Sequence, residues 1–321
     1  MGMADTVTKE YIRSNEVFAD AFNYLIYDGE QVVKPALLQE LDTTEIAIPF
    51  ALGENENQTE DVVQKYRDVL KSAVIMQDSR ASYILLGVEN QTEIHYAMPV
   101  RNIIYDALQY GKQVSEVAKR HKSKGDRKGH NKGEYLSGFY KEDRIRPVIT
   151  LVVHFGADEW DGPLSLYEMM DLEDKKLLEF VQDYRIFLID PYKLANNDLE
   201  KFSTSLGDML GYIKYSKDKK ALSKFLNDNQ VMIMDNDAAR VIRDVTNTPI
   251  YVPDGKGEID MCKAVRDMID ESKQEGMAAG ELNKAKKMAL KMYKKGDSIE
   301  EIAEMAEVSV DQVKEWINSA V

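Results

Sequence analysis

The sequence predicts an α/β fold: a mixed β-sheet flanked by helices, followed by a helical C-terminal extension. Three observations carry this. Strand-length and helix-length apolar patterns succeed one another up to about residue 195, in the order helix, strand, strand, strand, helix, strand, strand. From about residue 196 the pattern turns helical. Hydrophobic residues make up 44% of the 321 positions, which allows a sizeable core and excludes wholesale disorder.

The first helix is expected over 14–27, SNEVFADAFNYLIY, with Ser14 or Asn15 as cap and Val17, Phe18, Ala21, Phe22, Leu25 and Ile26 as its apolar stripe. A short strand follows within 41–50, stopped by Pro49, and the polar stretch 53–61 reads as loop. Two apolar runs, 66–77 and 83–91, are separated by a short polar break and predict a β-hairpin. Pro99 suits the first turn of a long helix whose core face is Val100, Ile103, Ile104, Ala107 and Leu108. The β-branched run 147–155 predicts a fully buried strand, and 184–190 another. In the tail, KAKKMALKMYKKG reads as a helix ended by Gly296. Capping boxes at Ser298–Glu301 and Ser309–Gln312 then open two short helices, a pair of helix-turn-helix type. The expected divisions are a core over 10–195, a helical extension over 196–275 and a C-terminal helical segment over 276–321.

The net charge is −14, which argues against indiscriminate coating of nucleic acid but leaves room for local basic patches. Residues 119–132 are such a patch, with seven Lys or Arg against one acid, so the rest of the chain carries −20. Lys119, Arg120, Lys122, Lys124, Arg127 and Lys128 in this run can hold a phosphate backbone, or form a solvated loop. The single cysteine, Cys262, rules out an intrachain disulfide and fits a reducing cytoplasm. No segment resembles a signal peptide, and no apolar stretch approaches the ~20 residues that span a bilayer, so no membrane partner is expected.

The chemistry is expected at the end of the second hairpin strand. Alternation puts Glu89 and Gln91 on one face and Asn90 on the other. A turn centred near 78–79 sets Asp68 opposite Glu89, with Cβ atoms ~5 Å apart. Two carboxylates ~4 Å apart repel by about 4 kcal/mol at an effective dielectric of ~20, so a cation or a proton is required between them. Oxygen donors favour Mg²⁺ or Mn²⁺, and the four scattered histidines show no zinc spacing. A hard metal on two carboxylates suits phosphodiester hydrolysis. The other reading is a pair of solvated charges at the strand ends. Arg101 and Tyr105, one helical turn apart, either hold a phosphate at this site or belong to the rim of the core.

Several stretches resemble the PD-(D/E)XK nuclease superfamily. They are RDVLK around Asp68, GVENQ ending in Glu89 and Gln91, and MPVRNIIYDALQY (98–110). The resemblance narrows to the Rpn/YhgA-like branch of recombination-promoting nucleases and transposases, also through FADAFN (18–23), VITLVVHFGADEWDGP (148–163) and KYSKDKKALSKFL (214–226). It covers about residues 14–270. It implies a restriction-endonuclease-like core in αβββαβ order and a metal-dependent DNA endonuclease acting in recombination or transposition. It implies double-stranded DNA as partner, Asp68 and Glu89 as metal ligands, and Asp20 as a further acidic ligand from the first helix. Gln91 stands where the wider superfamily has lysine. It can orient a water by hydrogen bonds, as is usual in this branch, and strand alternation excludes Lys71 as a substitute. The alternatives are a non-catalytic DNA-binding or regulatory protein on a degenerate nuclease fold, and a helical assembly protein. Enzymes acting on duplex DNA often pair two active sites, so a homodimer is among the expected assemblies. The last helix carries one base, Lys314, beside Asp311 and Glu315, which favours assembly over base reading.

Overall fold

A five-stranded mixed sheet holds the two strand ends on which the chemistry is expected. The structure is a computed structural model and describes residues 2–41, 44–46, 64–66, 68–77, 80–125, 131–172 and 174–319. The chain divides into two compact units, Met1–Thr248 with Val252–Met261, and Pro249–Tyr251 with Cys262–Val321.

In the first unit, helices α1 (Met3–Arg13) and α2 (Asn15–Tyr27) precede strand β1 (Leu38–Glu40). Strands β2 (Thr44–Ile46) and β3 (Gln64–Tyr66) pair with each other as a separate antiparallel ribbon. The hairpin of β4 (Val69–Gln77) and β5 (Arg80–Gln91) is followed by α3 (Met98–Lys124), α4 (Lys132–Ser137), β6 (Val148–His154) and β7 (Phe187–Ile189). The main sheet has the order β1-β4-β5-β6-β7, antiparallel from β1 to β5 and parallel from β5 to β7. A parallel return needs a long crossover, which α3 and the segment after it supply.

The expected order of helices and strands is observed, with several differences. The first strand of the main sheet is Leu38–Glu40, while the run expected within 41–50 contributes only Thr44–Ile46, to the ribbon; the rest of that run and the loop expected at 53–61 lie outside the described residues. The strand expected at 184–190 shortens to Phe187–Ile189. An unanticipated helix, α1, packs on β4 and β5. After β7 come α5 (Asn196–Leu199), α6 (Leu206–Tyr215), α7 (Lys219–Asn229) and α8 (Asn236–Thr246), with a small ribbon of β8 (Ile233–Asp235) and β9 (Glu258–Asp260) not foreseen from the sequence.

Both faces of β5 are covered, which is why its apolar run is continuous rather than alternating. Ile84, Leu86 and Val88 turn to the side of α1 and α2, where Asn90 Nδ2 donates to Thr8 Oγ1 at 2.6 Å. Leu85 turns to the side of α3, where it clusters with Leu70, Val148 and Tyr110. Lys71 follows the α1–α2 face: its Nζ donates to Arg13 O at 2.6 Å and Asn15 Oδ1 at 2.5 Å, 4.8 Å from the centre of the Phe18 ring. Burial presses its pKa down, and it is committed to the α1–α2 junction.

In the second unit, α9 (Met261–Lys295) runs unbroken through Gly276 and Gly280 to Gly296, whose φ of 98° ends it. Helices α10 (Ile299–Met305) and α11 (Val310–Asn318) are capped by Ser298 and Ser309 as their sequences predict. Ala289, Ile302, Ala303, Val313, Trp316 and Ile317 form the core of this helical unit, and Cys262 is buried.

Asp20 does not reach the hairpin end. Its carboxylate accepts five hydrogen bonds, from the backbone N–H and hydroxyl of both Ser203 and Thr204, at 2.7–3.0 Å. It ties α2 to the turn before α6 through Ser203 and Thr204. Asp20→Ala leaves buried donors unanswered and is predicted to lower stability by about 3 kcal/mol, read as a lower urea midpoint at unchanged m-value.

Candidate active site

The β4–β5 register pairs Val69 with Val88 and Gln77 with Arg80, so Asp68, one residue before β4, stands opposite Glu89. This is the arrangement that strand alternation and turn position predict. The ladder closes there through a side chain: Asp68 Oδ2 accepts the Asn90 backbone N–H at 2.9 Å. Glu89 is fully buried, and Gln91 ends the strand two residues on, on the same face.

Each carboxylate meets a cation. Lys9 Nζ, from α1, lies 3.3 Å from Asp68 Oδ1, and Arg101 Nη2, from the first turn of α3, lies 3.0 Å from Glu89 Oε2. Burial works against the charge of Arg101, but Glu89, Tyr105 and Asp68 outweigh it and hold its pKa above the ordinary value. Arg101 Nε donates to Tyr105 Oη at 3.3 Å, and burial together with the Glu89 charge raises the pKa of the phenol. Arg101 and Tyr105 therefore face Glu89 and belong to the site rather than to an unrelated rim. The repulsion between the two acids is answered by these two bases.

Asp68, Asn90, Gln91, Thr92, Lys9 and Arg101 line a cavity of about 230 Å³, and Asp5 reaches it from α1. Asp5 accepts from the Thr92 hydroxyl. Gln91 Nε2 donates to Asn90 O at 2.8 Å, which fixes the carboxamide and leaves its Oε1 as the acceptor at the cavity. Asp5, Lys9 and Thr92 were not anticipated. The available signal was the spacing of Thr8, Tyr11 and Ile12, which are the buried residues of α1, and it is weak because only one of the three is aliphatic.

The oxygen ligands gathered here are the carboxylates of Asp68, Asp5 and Glu93, the Gln91 carboxamide and the Thr92 hydroxyl at the cavity, with the Glu89 carboxylate buried opposite Asp68. That set suits a hard divalent cation that keeps several waters. Among the described residues no three His, Cys, Asp or Glu side chains are grouped to hold a metal. An ion held by Asp68 and Glu89 would take its remaining ligands from water or phosphate.

The basic run is not a loop over its first half. Lys119, Arg120, Lys122 and Lys124 are exposed residues of the last turns of α3, because lysine and arginine are good helix formers and the first glycine of the run is Gly125. Arg127 and Lys128 lie outside the described residues. Among the described residues, no helix is long and apolar enough to cross a membrane.

Arg101→Ala leaves Glu89 buried without its guanidinium and is predicted to cost roughly 3 kcal/mol. The same change in a Glu89→Gln background is predicted to cost markedly less, and a double-mutant cycle of urea unfolding measures the difference.

The family described as "Putative transposase, YhgA-like" matches residues 51–239. The matched stretch contains Asp68, Glu89, Gln91, Arg101, Tyr105 and the basic part of α3, while Asp5, Lys9 and Asp20 precede it. No match was found among curated proteins or among solved structures. The family match spans more than half of the chain, and the chain belongs to the YhgA-like transposase family.

Proposed function

We propose that the protein is a Mg²⁺- or Mn²⁺-dependent endonuclease that hydrolyses phosphodiester bonds of duplex DNA in recombination or transposition, within the cytoplasm. The reading places the chain among PD-(D/E)XK nucleases. The observation that carries it is the hairpin register, which sets Asp68 opposite the buried Glu89, next to a cavity that Asp68, Gln91, Lys9 and Arg101 line.

Asp68 and Glu89 would hold the ion. When bound, the ion supplies an activated water and offsets charge at the phosphate. Gln91 Oε1, fixed by the bond from its own Nε2 to Asn90 O, accepts a hydrogen bond from the attacking water and orients it. Arg101, 3.0 Å from Glu89 Oε2, would bind a non-bridging phosphate oxygen through its planar fork, with Tyr105 steadying it. Lys9 does the same beside Asp68. The exposed bases Lys119, Arg120, Lys122 and Lys124 on α3 hold the backbone of the duplex.

A second reading is a DNA-binding or regulatory protein without turnover. It is favoured by the ion pairs that engage both carboxylates and by glutamine where the wider superfamily carries lysine. A plasmid-nicking assay separates the two. Wild type is predicted to nick supercoiled DNA with Mg²⁺ or Mn²⁺ and not with EDTA, and Glu89→Ala to lose roughly 100-fold or more of the rate. Equal residual cleavage in both proteins removes the site assignment. Salt-sensitive binding without cleavage in any divalent metal supports the second reading.

A further inference from the structure

A cleft of about 530 Å³ opens over the same face of the sheet, toward the other end of α3. Its floor includes Leu70 and Leu85, and its rim carries Lys112, Arg120, Arg144 and Arg146 against one acid, Glu116. All four bases are exposed, and among the described residues none is held in an ion pair with a carboxylate. Asp143, whose carboxylate feels the charge of Arg120, bonds His121 at 2.9 Å and the Tyr140 N–H.

The rim is held in place without being neutralised. Arg144 Nη1 donates to the main-chain oxygens of Lys141 and Asp143 at 2.8 and 2.7 Å. The Arg146 guanidinium lies over the Tyr83 ring, 5.5 Å from its centre. The Gln113 carboxamide bonds both the N–H and the C=O of Arg146, at 2.7 and 3.1 Å. Four exposed bases, two of them held in place, in a chain of net charge −14 attract a polyanion with repeated charges.

We propose that this cleft binds the phosphate backbone of the same nucleic acid that enters the pocket lined by Asp68, Gln91 and Arg101, and so sets the direction in which the duplex lies. The inference rests on the proposed nuclease function. Leu85 and Glu89 share one face of β5, and α3 carries Arg101 over the pocket and Lys112 through Arg120 over the cleft. At 1.5 Å per helical residue, Lys112 and Arg120 lie about 17 and 28 Å along α3 from Arg101. That distance corresponds to about five to eight base pairs at 3.4 Å each. A repeating phosphate chain matches bases spread over such a length, where a single small anion would engage only one or two of them.

The test is fluorescence anisotropy of the full chain with a labelled 20-base-pair duplex in EDTA, across a salt series. Lys112→Glu/Arg144→Glu is compared with Lys219→Glu/Lys224→Glu, an exposed pair on α7. The cleft pair is predicted to weaken binding at least about tenfold and to lower the slope of log K against log salt by about 2. The α7 pair is predicted to leave both unchanged. Equal effects from the two pairs, or no effect from the cleft pair, overturn the assignment. So does displacement of the duplex by poly-glutamate of matched charge as effectively as by unlabelled duplex, which would make the cleft a site for acidic protein. Nicking in Mg²⁺ by the same variants keeps the two claims apart. Loss of binding in the cleft pair while wild type fails to nick leaves the cleft standing and removes the nuclease reading. Wild-type nicking with binding unaltered in the cleft pair removes the cleft alone.

Discussion

The pairing of β4 with β5 governs every other placement in the candidate site. A slip of one residue would turn Glu89 and Gln91 to the α1–α2 face and bring Asn90 to α3. The register is held by burial on both sides, Ile84, Leu86 and Val88 against one layer and Leu85 with Leu70 against the other. At the open end, where backbone pairing stops, Asp68 bonds the Asn90 N–H and continues the ladder with a side chain. The residue that extends the sheet is therefore also the residue that brings a second carboxylate to Glu89. Fold and site are fixed by the same contacts.

Charge explains the rest of the arrangement. A fully buried carboxylate next to another acid is costly unless cations answer it. Lys9 arrives from α1 and Arg101 from α3, so the two layers that flank the sheet are joined electrostatically at the site. In a chain of net charge −14, the bases of α3 and of the segment before β6 are gathered on one face. A polyanion is drawn to such a face, because the rest of the chain carries a net negative charge that repels phosphate. On the proposed reading, a cation held by Asp68 and Glu89 would compete with Lys9 and Arg101 for the two carboxylates.

The hairpin, the role of alternation and the position of Asp68 were legible from residues 66–91, because period-2 patterning and turn position are local signals. The direction of Lys71 was legible for the same reason. Asp20 was not: it lies on the expected helix, but its partners Ser203 and Thr204 are more than 180 residues away, and no local pattern announces a five-bond acceptor. The helix that does bring an acid to the pocket, α1, hides behind a mixed face of Thr8, Tyr11 and Ile12. The basic run read as a loop because charge and glycine dominate it. Yet its first six residues continue a 27-residue helix that ends only at Lys124. The Arg144–Arg146 contribution to the cleft depends on tertiary proximity across Gln113 and had no sequence signal.

The central claim is that Asp68 and Glu89 form one cation site. Titration of Mn²⁺ into the full chain, followed by loss of the free-ion EPR signal, tests it without requiring turnover. The account predicts one site in wild type that is weakened at least about tenfold by either Asp68→Asn or Glu89→Gln and left unchanged by Asp20→Asn. Mn²⁺ binding that survives both of the first two changes, or that is lost with Asp20→Asn alone in a folded protein, would contradict it.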